Sequence, residues 1–255
     1  MARRSAAVRF VGHATVLIDF GGFRVLTDPF LRHRLGPLER HGPAPDLDAI
    51  GDIDAVLISH GHRDHFDLTS LASLRGHPTI VVPLGLGPLV RRHVEGAVVE
   101  LSSGSQGMIG GTDGIQVRAV PARHWISPGA ARAEPVGYRI ERGLRVYFAG
   151  DTGRLPAMRD LAGTIDLALL PVWTWGPHLG PGHLGPRSAA EALTDIRPSV
   201  ALPIHWGTLY PRRLHHIWRT PLVEPGERFA RHAQRLAPDV DVRVLRPGET
   251  TVVDP

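Results

Sequence analysis

No cysteine occurs among the 255 residues. Disulfides are therefore excluded, and so is any metal site built on thiolates. Lysine is absent too: all 29 basic residues are arginine, set against 25 acidic ones for a formal charge of +4. The sequence pI of 10.4 follows from arginine's high pKa rather than from a large cationic excess. The arginines are scattered, without the dense stripe of a nucleic-acid groove, so nucleic acid is not an expected partner. No apolar run approaches the length that spans a bilayer. The apolar stretch after the basic Met1-Ala2-Arg3-Arg4 breaks at Gly12-His13, too early for a signal peptide. These absences point to a cytoplasmic, soluble protein with a small-molecule substrate, touching a membrane only if that substrate is a lipid. They leave the oligomeric state open.

What the sequence does have is histidine, 15 in all, together with enough glycine (29) and proline (23) for many turns between short elements. Val8–Val11, Thr15–Phe20 and Phe23–Thr27 read as an antiparallel meander, with Gly21-Gly22 as a tight turn. Residues 32–48, rich in Pro, Gly and His, read as a long loop. Ile53–Ser59 is a continuous apolar strand of the kind buried on both faces. A helix capped by Asp67 is expected over Asp67–Arg75, then a strand at Thr79–Pro83, a helical stretch to Val94 and a strand at Ala97–Leu101. The second half repeats the style. Strands are expected at Ile115–Pro121, Val136–Glu141, Leu144–Ala149, Ile165–Leu170, Ser199–Ile204, Val240–Leu245 and Thr250–Val253. Helices are expected at Pro156–Leu161, Pro186–Ile196 and Glu224–Leu236. No repeat or linker divides the chain, so one α/β domain over residues 1–255 is the expectation.

Four of these strands end in a ligand-type residue. Ile53–Ser59 runs into His60, Ile115–Pro121 stops just before His124, Leu144–Ala149 leads to Gly150-Asp151, and Ser199–Ile204 leads to His205. Rigid strand ends are where such a scaffold converges side chains on one point. In an extended segment His60 and His62 project to the same side, and Asp64 and His65 follow where they would serve a second ion. Imidazole and carboxylate suit zinc, with iron, manganese or cobalt also accepted. The pair His215-His216, by contrast, is expected on a solvated loop or helix face.

The segment Ser59-His60-Gly61-His62-Arg63-Asp64-His65 resembles the His-x-His-x-Asp-His signature of the metallo-β-lactamase superfamily, and Ala149-Gly150-Asp151-Thr152-Gly153 resembles its bridging-aspartate motif. Further segments resemble the branch of N-acyl-phosphatidylethanolamine phospholipase D and the ascorbate-phosphate lactonases. These are Gly12-His13-Ala14-Thr15 with Leu26-Thr27-Asp28-Pro29, Arg123-His124-Trp125, His183 to Ala189, and His205-Trp206-Gly207-Thr208. The resemblance implies a four-layer αββα sandwich with two divalent metal ions at one edge, most simply Zn2+ with Mn2+ or Fe2+ as alternatives. It assigns His60, His62 and His124 to the first ion, Asp64, His65 and His205 to the second, and Asp151 to the bridge between them. Diiron oxygen-reducing members carry Glu where this chain has His62, which points to hydrolysis.

Two ions about 3.5–4 Å apart lower the pKa of a shared water and clamp a substrate oxygen, so hydroxide attacks phosphorus or a carbonyl carbon without a nucleophilic side chain. Asp64 is expected to orient that water. His183 is expected to help the leaving group, with His178 as its alternative. His13 is either a partner to a ligand or a structural hydrogen-bonder. Trp125, Trp173, Trp175 and Trp206 suggest an apolar, roomy pocket. Residues 126–130 and 173–176 depart from the phospholipase-like pattern, so phospholipid cleavage does not follow. Hydrolysis of a phosphodiester or phosphorylated small molecule is the leading expectation, and lactone or ester hydrolysis the alternative. A non-catalytic metal-binding protein is a minor one, because all seven ligand positions are filled.

Overall fold

A computed structural model describes residues 5–127, 129–176 and 178–255. The basic Met1–Arg4 segment, Pro128 in the stretch after His124 and Pro177 in the loop before His183 lie outside the described residues.

In chain order the first eight strands are β1 (Ala6–Gly12), β2 (Thr15–Asp19), β3 (Arg24–Thr27), β4 (Arg34–Leu35), β5 (Leu38–Arg40), β6 (Ala55–Leu57), β7 (Thr79–Pro83) and β8 (Val98–Leu101). The rest are β9 (Gln106–Ile109), β10 (Ile115–Pro121), β11 (Val136–Arg142), β12 (Leu144–Phe148), β13 (Leu167–Pro171), β14 (Val200–Ile204), β15 (Leu209–Pro211), β16 (Asp241–Val242) and β17 (Thr250–Val253). The α-helices are α1 (Leu47–Ile50), α2 (Leu68–Ala72), α3 (Gly87–Arg91), α4 (Pro186–Ile196), α5 (Thr220–Val223) and α6 (Pro225–Leu236). One seven-stranded sheet runs β17-β1-β2-β3-β6-β7-β8, and a second runs β16-β14-β13-β12-β11-β10-β9. Each is antiparallel on one side and parallel on the other: β3, β6, β7 and β8 are parallel, as are β12, β13, β14 and β16.

Alternation along the strands sorts the side chains into layers. Val8, Phe10, Val16, Ile18, Val25, Ala55, Leu57 and Val81 share one buried cluster with Val117, Tyr138, Ile140, Val146 and Phe148 of the second sheet. The intervening residues Val11, Leu17, Leu26, Val56, Ile80 and Val82 point the other way, into a separate cluster with Ile50 of α1, Leu71 of α2 and Val90 of α3. The far face of the second sheet is covered by α4, whose Ala189, Ala190, Leu193 and Ile196 recur at helical spacing, and by Phe229 and Ala233 of α6. Helix, sheet, sheet and helix give the four-layer αββα sandwich. Strands buried on both faces explain why the segment before His60 reads as uninterrupted apolar sequence.

The meander turn is as expected: Gly21 and Gly22 both take positive φ, and the Phe20 N–H donates to the Phe23 carbonyl at 3.0 Å. The helix capped by Asp67 forms, with Asp67 accepting from the Ser70 N–H, but it stops at Ala72. Residues 32–48 are not one long loop. They contain β4, β5 and the start of α1, and β5 pairs antiparallel with β15 in a small third sheet. The expected strand over Val240–Leu245 shrinks to Asp241–Val242, and β9 and β15 were not expected at all. These short strands carry too few residues to show an apolar period, and only their partners define them.

Phe229 is fully buried in the layer beneath α6, so Phe229→Ala should lower unfolding free energy by roughly 3–5 kcal/mol. Val223→Ala, at a side chain 47% exposed on α5, should stay within about 0.5 kcal/mol. Denaturant melts of the two variants against the parent check both.

Candidate metal centre

The strand ends meet at one edge of the sandwich. From the first sheet come the β1–β2 turn with His13, the end of β3 with Asp28, and the Ser59–His65 loop that follows β6. From the second sheet come His124 after β10, Asp151 after β12 and His205 after β14. The His205 N–H donates to the His13 carbonyl at 2.7 Å and so ties the two sheets together. His13, Asp28 and His205 all hold positive φ (60°, 32° and 61°), a conformation non-glycine residues seldom adopt away from functional sites. Two glycines permit close approaches here. A Cβ on Gly61 would collide with the Ala131 carbonyl, and Gly150, at φ 59°, packs directly on Ser59.

Ligand-type atoms of His60, His62 and His124 lie within 4.8 Å of one another, and so do those of His13, Asp64, His65 and His205. Asp151 stands between these groups. Its Oδ2 is 3.3 Å from His65 Nε2 and 3.9 Å from His124 Nε2, while Oδ1 is 3.3 Å from His205 Nε2. His183 joins from its loop, with Nε2 3.4 Å from Asp151 Oδ2. The second ring nitrogens are occupied: His65 Nδ1 faces Asp28 Oδ2 at 2.6 Å and His60 Nδ1 faces Ser59 Oγ at 2.9 Å. His124 Nδ1 faces the Gly182 carbonyl and His183 Nδ1 the Gly180 carbonyl, both at 3.2 Å. With a proton on Nδ1, the His60 and His124 rings turn an unprotonated Nε2 inward.

Burial and mutual charge set the protonation states. Burial holds the His60 imidazole well below its ordinary range, and His124 falls to about 4 for the same first reason, against the pull of Asp151. Burial would raise the Asp64 and Asp151 carboxyls, yet the surrounding imidazoles hold both below the carboxylate range. His65 is buried as well, but Asp151, Asp64 and Asp28 outweigh burial and push it up. His13 drops to about 3 through burial and His205, opposed by Asp64. Asp64 and Asp151 are thus held anionic beside a His65 that favours its proton, while burial keeps His60, His124 and His13 neutral.

The donor set fits a cation. Nitrogen faces nitrogen at 2.9 Å for His60 Nε2 and His62 Nδ1, and at 3.0 Å for His124 Nε2 with His62 Nδ1 and for His65 Nε2 with His205 Nε2. Asp151 Oδ1 is shielded from solvent and accepts no hydrogen bond. Inward imidazole nitrogens gathered at hydrogen-bond distance from one another, beside a carboxylate oxygen without a hydrogen-bond partner, form a donor set that a cation can occupy. His62 needs one local adjustment. Its Nε2 accepts from the Ser127 N–H at 3.0 Å, so ligation through Nδ1, with the proton on Nε2, requires that amide to turn aside.

All seven residues expected as ligands converge here, and His183 is beside them. His178 is exposed, with its ring against Trp218 (centroids 5.6 Å), and belongs to none of the ligand groups. His13 donates from Nε2 to Asp64 Oδ2 at 3.0 Å, and its ring lies tilted against that of His205 with centroids 4.0 Å apart. Nothing in the sequence around Asp28 marks its role. Asp28 proves to be a fully buried acceptor for the Ser59 N–H, the Ser59 hydroxyl and His65. The tryptophan expectation is corrected for Trp206, which is buried against Phe10 and Gly226 and donates to the Pro203 carbonyl, a packing role. Trp125 and Trp175 are exposed, and Trp173 donates to the Gly176 carbonyl within its own loop.

The profile of the beta-lactamase superfamily domain matches residues 23–206, most of the chain. An uncharacterized protein of Mycobacterium tuberculosis is 33% identical over 98% of this chain and 68% of its own length. A UPF0173 metal-dependent hydrolase of Thermus thermophilus is 32% identical over 97% of this chain and 99% of its own. Among solved structures, a metallo hydrolase of Ignicoccus hospitalis superposes with a TM-score of 0.76 at 22% identity, covering 98% and 99% of the two chains. An α/β sandwich with a histidine- and aspartate-lined edge is the class that fold and site define, and the chain belongs to the beta-lactamase superfamily.

Asp28 orients two of the converging histidines, directly at His65 and through Ser59 at His60. Asp28→Asn should therefore weaken metal affinity by about 10- to 100-fold while the protein stays folded. Chelator competition, with circular dichroism as the folding control, measures this.

Proposed function

We propose that the chain is a metal-dependent hydrolase that holds two divalent cations, most simply Zn2+. His60, His62 and His124 would hold the first, Asp64, His65 and His205 the second, and Asp151 both. The observation that carries this reading is Asp151, whose two carboxylate oxygens face imidazoles of both groups. The hydrolase names borne by relatives over 30% identical along nearly the whole chain support it. When bound, the cations supply Lewis acidity and a water acidic enough to attack near neutral pH.

The chain's own residues do the rest. His13 holds Asp64 Oδ2, which fixes the carboxylate as a ligand and as an acceptor that orients the attacking water. His183 is not needed as a ligand, and its Nε2 reaches the centre from a Gly/Pro-rich loop. It is the group that gives a proton at Nε2 to the departing oxygen. Arg123 lies next to His124 and packs its guanidinium along Gly153, where it donates to the Arg154 carbonyl. That positive charge at the rim favours an anionic substrate, and so a phosphodiester or phosphorylated small molecule over a neutral lactone. The segments that resemble the phospholipase-like and lactonase-like branch support such a substrate.

Asp151→Ala and His62→Ala should abolish hydrolysis in a protein that remains folded. His183→Ala should lower kcat by about 10²- to 10⁴-fold with metal content unchanged, the range for loss of a general acid. Turnover of a chromogenic phosphodiester, run beside a lactone panel and elemental analysis, checks each. Activity on lactones alone would overturn the phosphodiester preference, and activity on neither would overturn the hydrolase reading.

A further inference from the structure

A second set of imidazoles lies apart from the groups around Asp151. His41 follows β5, and its N–H donates to the Thr208 carbonyl at 2.7 Å. His215 sits in a single 3-10 turn, Leu214–His216, just beyond β15. Because β5 and β15 pair antiparallel, with Arg40 opposite Leu209, the turn comes back beside His41. The His41 and His215 ring centroids are 4.5 Å apart. Within the His60, His62 and His124 group the same separations are 4.7, 4.8 and 4.9 Å, so the pair has nearly the spacing of the molecule's own ligand cluster.

The nitrogens are the second observation. His41 Nε2 and His215 Nδ1 are both shielded from solvent, and neither has a hydrogen-bond partner among the described residues. A shielded polar atom left unpaired calls for an explanation, and two on adjacent rings call for a common one. Burial and the neighbouring His215 both lower the basicity of His41, which keeps its ring in the neutral form that binds metal. His216, exposed, has its ring 3.8 Å from that of His215. Glu39, also in β5, is engaged by His33 Nε2 at 3.3 Å.

We propose that His41 and His215 form a further cation site, closed by His216, for one divalent transition-metal ion of the Zn2+, Ni2+ or Cu2+ type. Imidazole ligands select such ions over Mg2+ and Ca2+, which prefer all-oxygen shells. Loading would tie the β4–β5 hairpin to the turn that leads into Trp218. The Trp218 carbonyl accepts from the Tyr210 hydroxyl at 2.9 Å, and its ring meets His178 in the loop that carries His183. The inference stands independently of the hydrolase reading, since no residue is shared between the two sites.

Equilibrium dialysis of the metal-stripped full chain against micromolar Zn2+, read by elemental analysis, tests it. The variant H41A/H215A should hold about one Zn2+ fewer than the parent. The variant H62A/D151A, with the main centre weakened, should still take up at least one Zn2+, and about one fewer when H41A/H215A is added. Equal Zn2+ content in the parent and folded H41A/H215A would overturn the proposal, as would an H62A/D151A protein that takes up none. A second measurement needs no change at His41 or His215: diethylpyrocarbonate modification of both residues in H62A/D151A, followed by peptide mass spectrometry. Zn2+ should slow it about tenfold or more, and an unchanged rate would overturn the site.

Discussion

Three carboxylates, Asp28, Asp64 and Asp151, are buried at one edge of this sandwich with imidazoles, not guanidiniums, as their charged neighbours. In a chain whose every basic residue is arginine, that is a strong selection. A guanidinium cannot give up its proton and competes with a cation for the carboxylate, whereas an imidazole surrenders its proton and becomes a second ligand. Elsewhere the chain does pair its acids with arginine, as at Arg145–Asp166 and Arg154–Asp195. The metal edge is distinguished from the rest of the molecule by this exclusion.

The two half-parallel sheets serve that arrangement. Parallel strands point their carboxyl ends the same way, so β3, β6, β12 and β14 bring Asp28, His60, Asp151 and His205 to one side without long excursions. Imidazoles are then aimed from behind: Asp28 holds His65 directly and Ser59, through its hydroxyl, holds His60. Three non-glycine residues in left-handed backbone are retained here, where the surrounding hydrogen bonds over-determine them.

Much of this was legible in the sequence because ligands and strands are local patterns. The His60–His65 segment and the apolar run before it announce themselves within a dozen residues, and His60, His124, Asp151 and His205 each follow a strand as expected. What was not legible depends on distant partners. His13 contacts Asp64 across 51 positions, and Asp28 reaches His65 across 37. The β5–β15 pairing turned an expected loop into a sheet, and with it placed His41 beside His215 of the His215-His216 pair, which was expected on a solvated loop or helix face. Trp206 stands next to a ligand in sequence yet faces the core, because the chain leaves β14 at Ile204 and turns through His205 in left-handed backbone.

The tie from the His205 amide to the His13 carbonyl closes the centre between residues far apart in the chain. On a ribosome, the first cluster of histidines would emerge long before its counterparts, and an ion caught then would have only half a coordination shell. High-affinity loading must wait until both sheets have docked. The bound ion in turn acts as a ligand for the native state alone and stabilises it by mass action. Scarcity of metal would for this reason appear in the cell first as a shorter-lived protein, and not merely as an idle one.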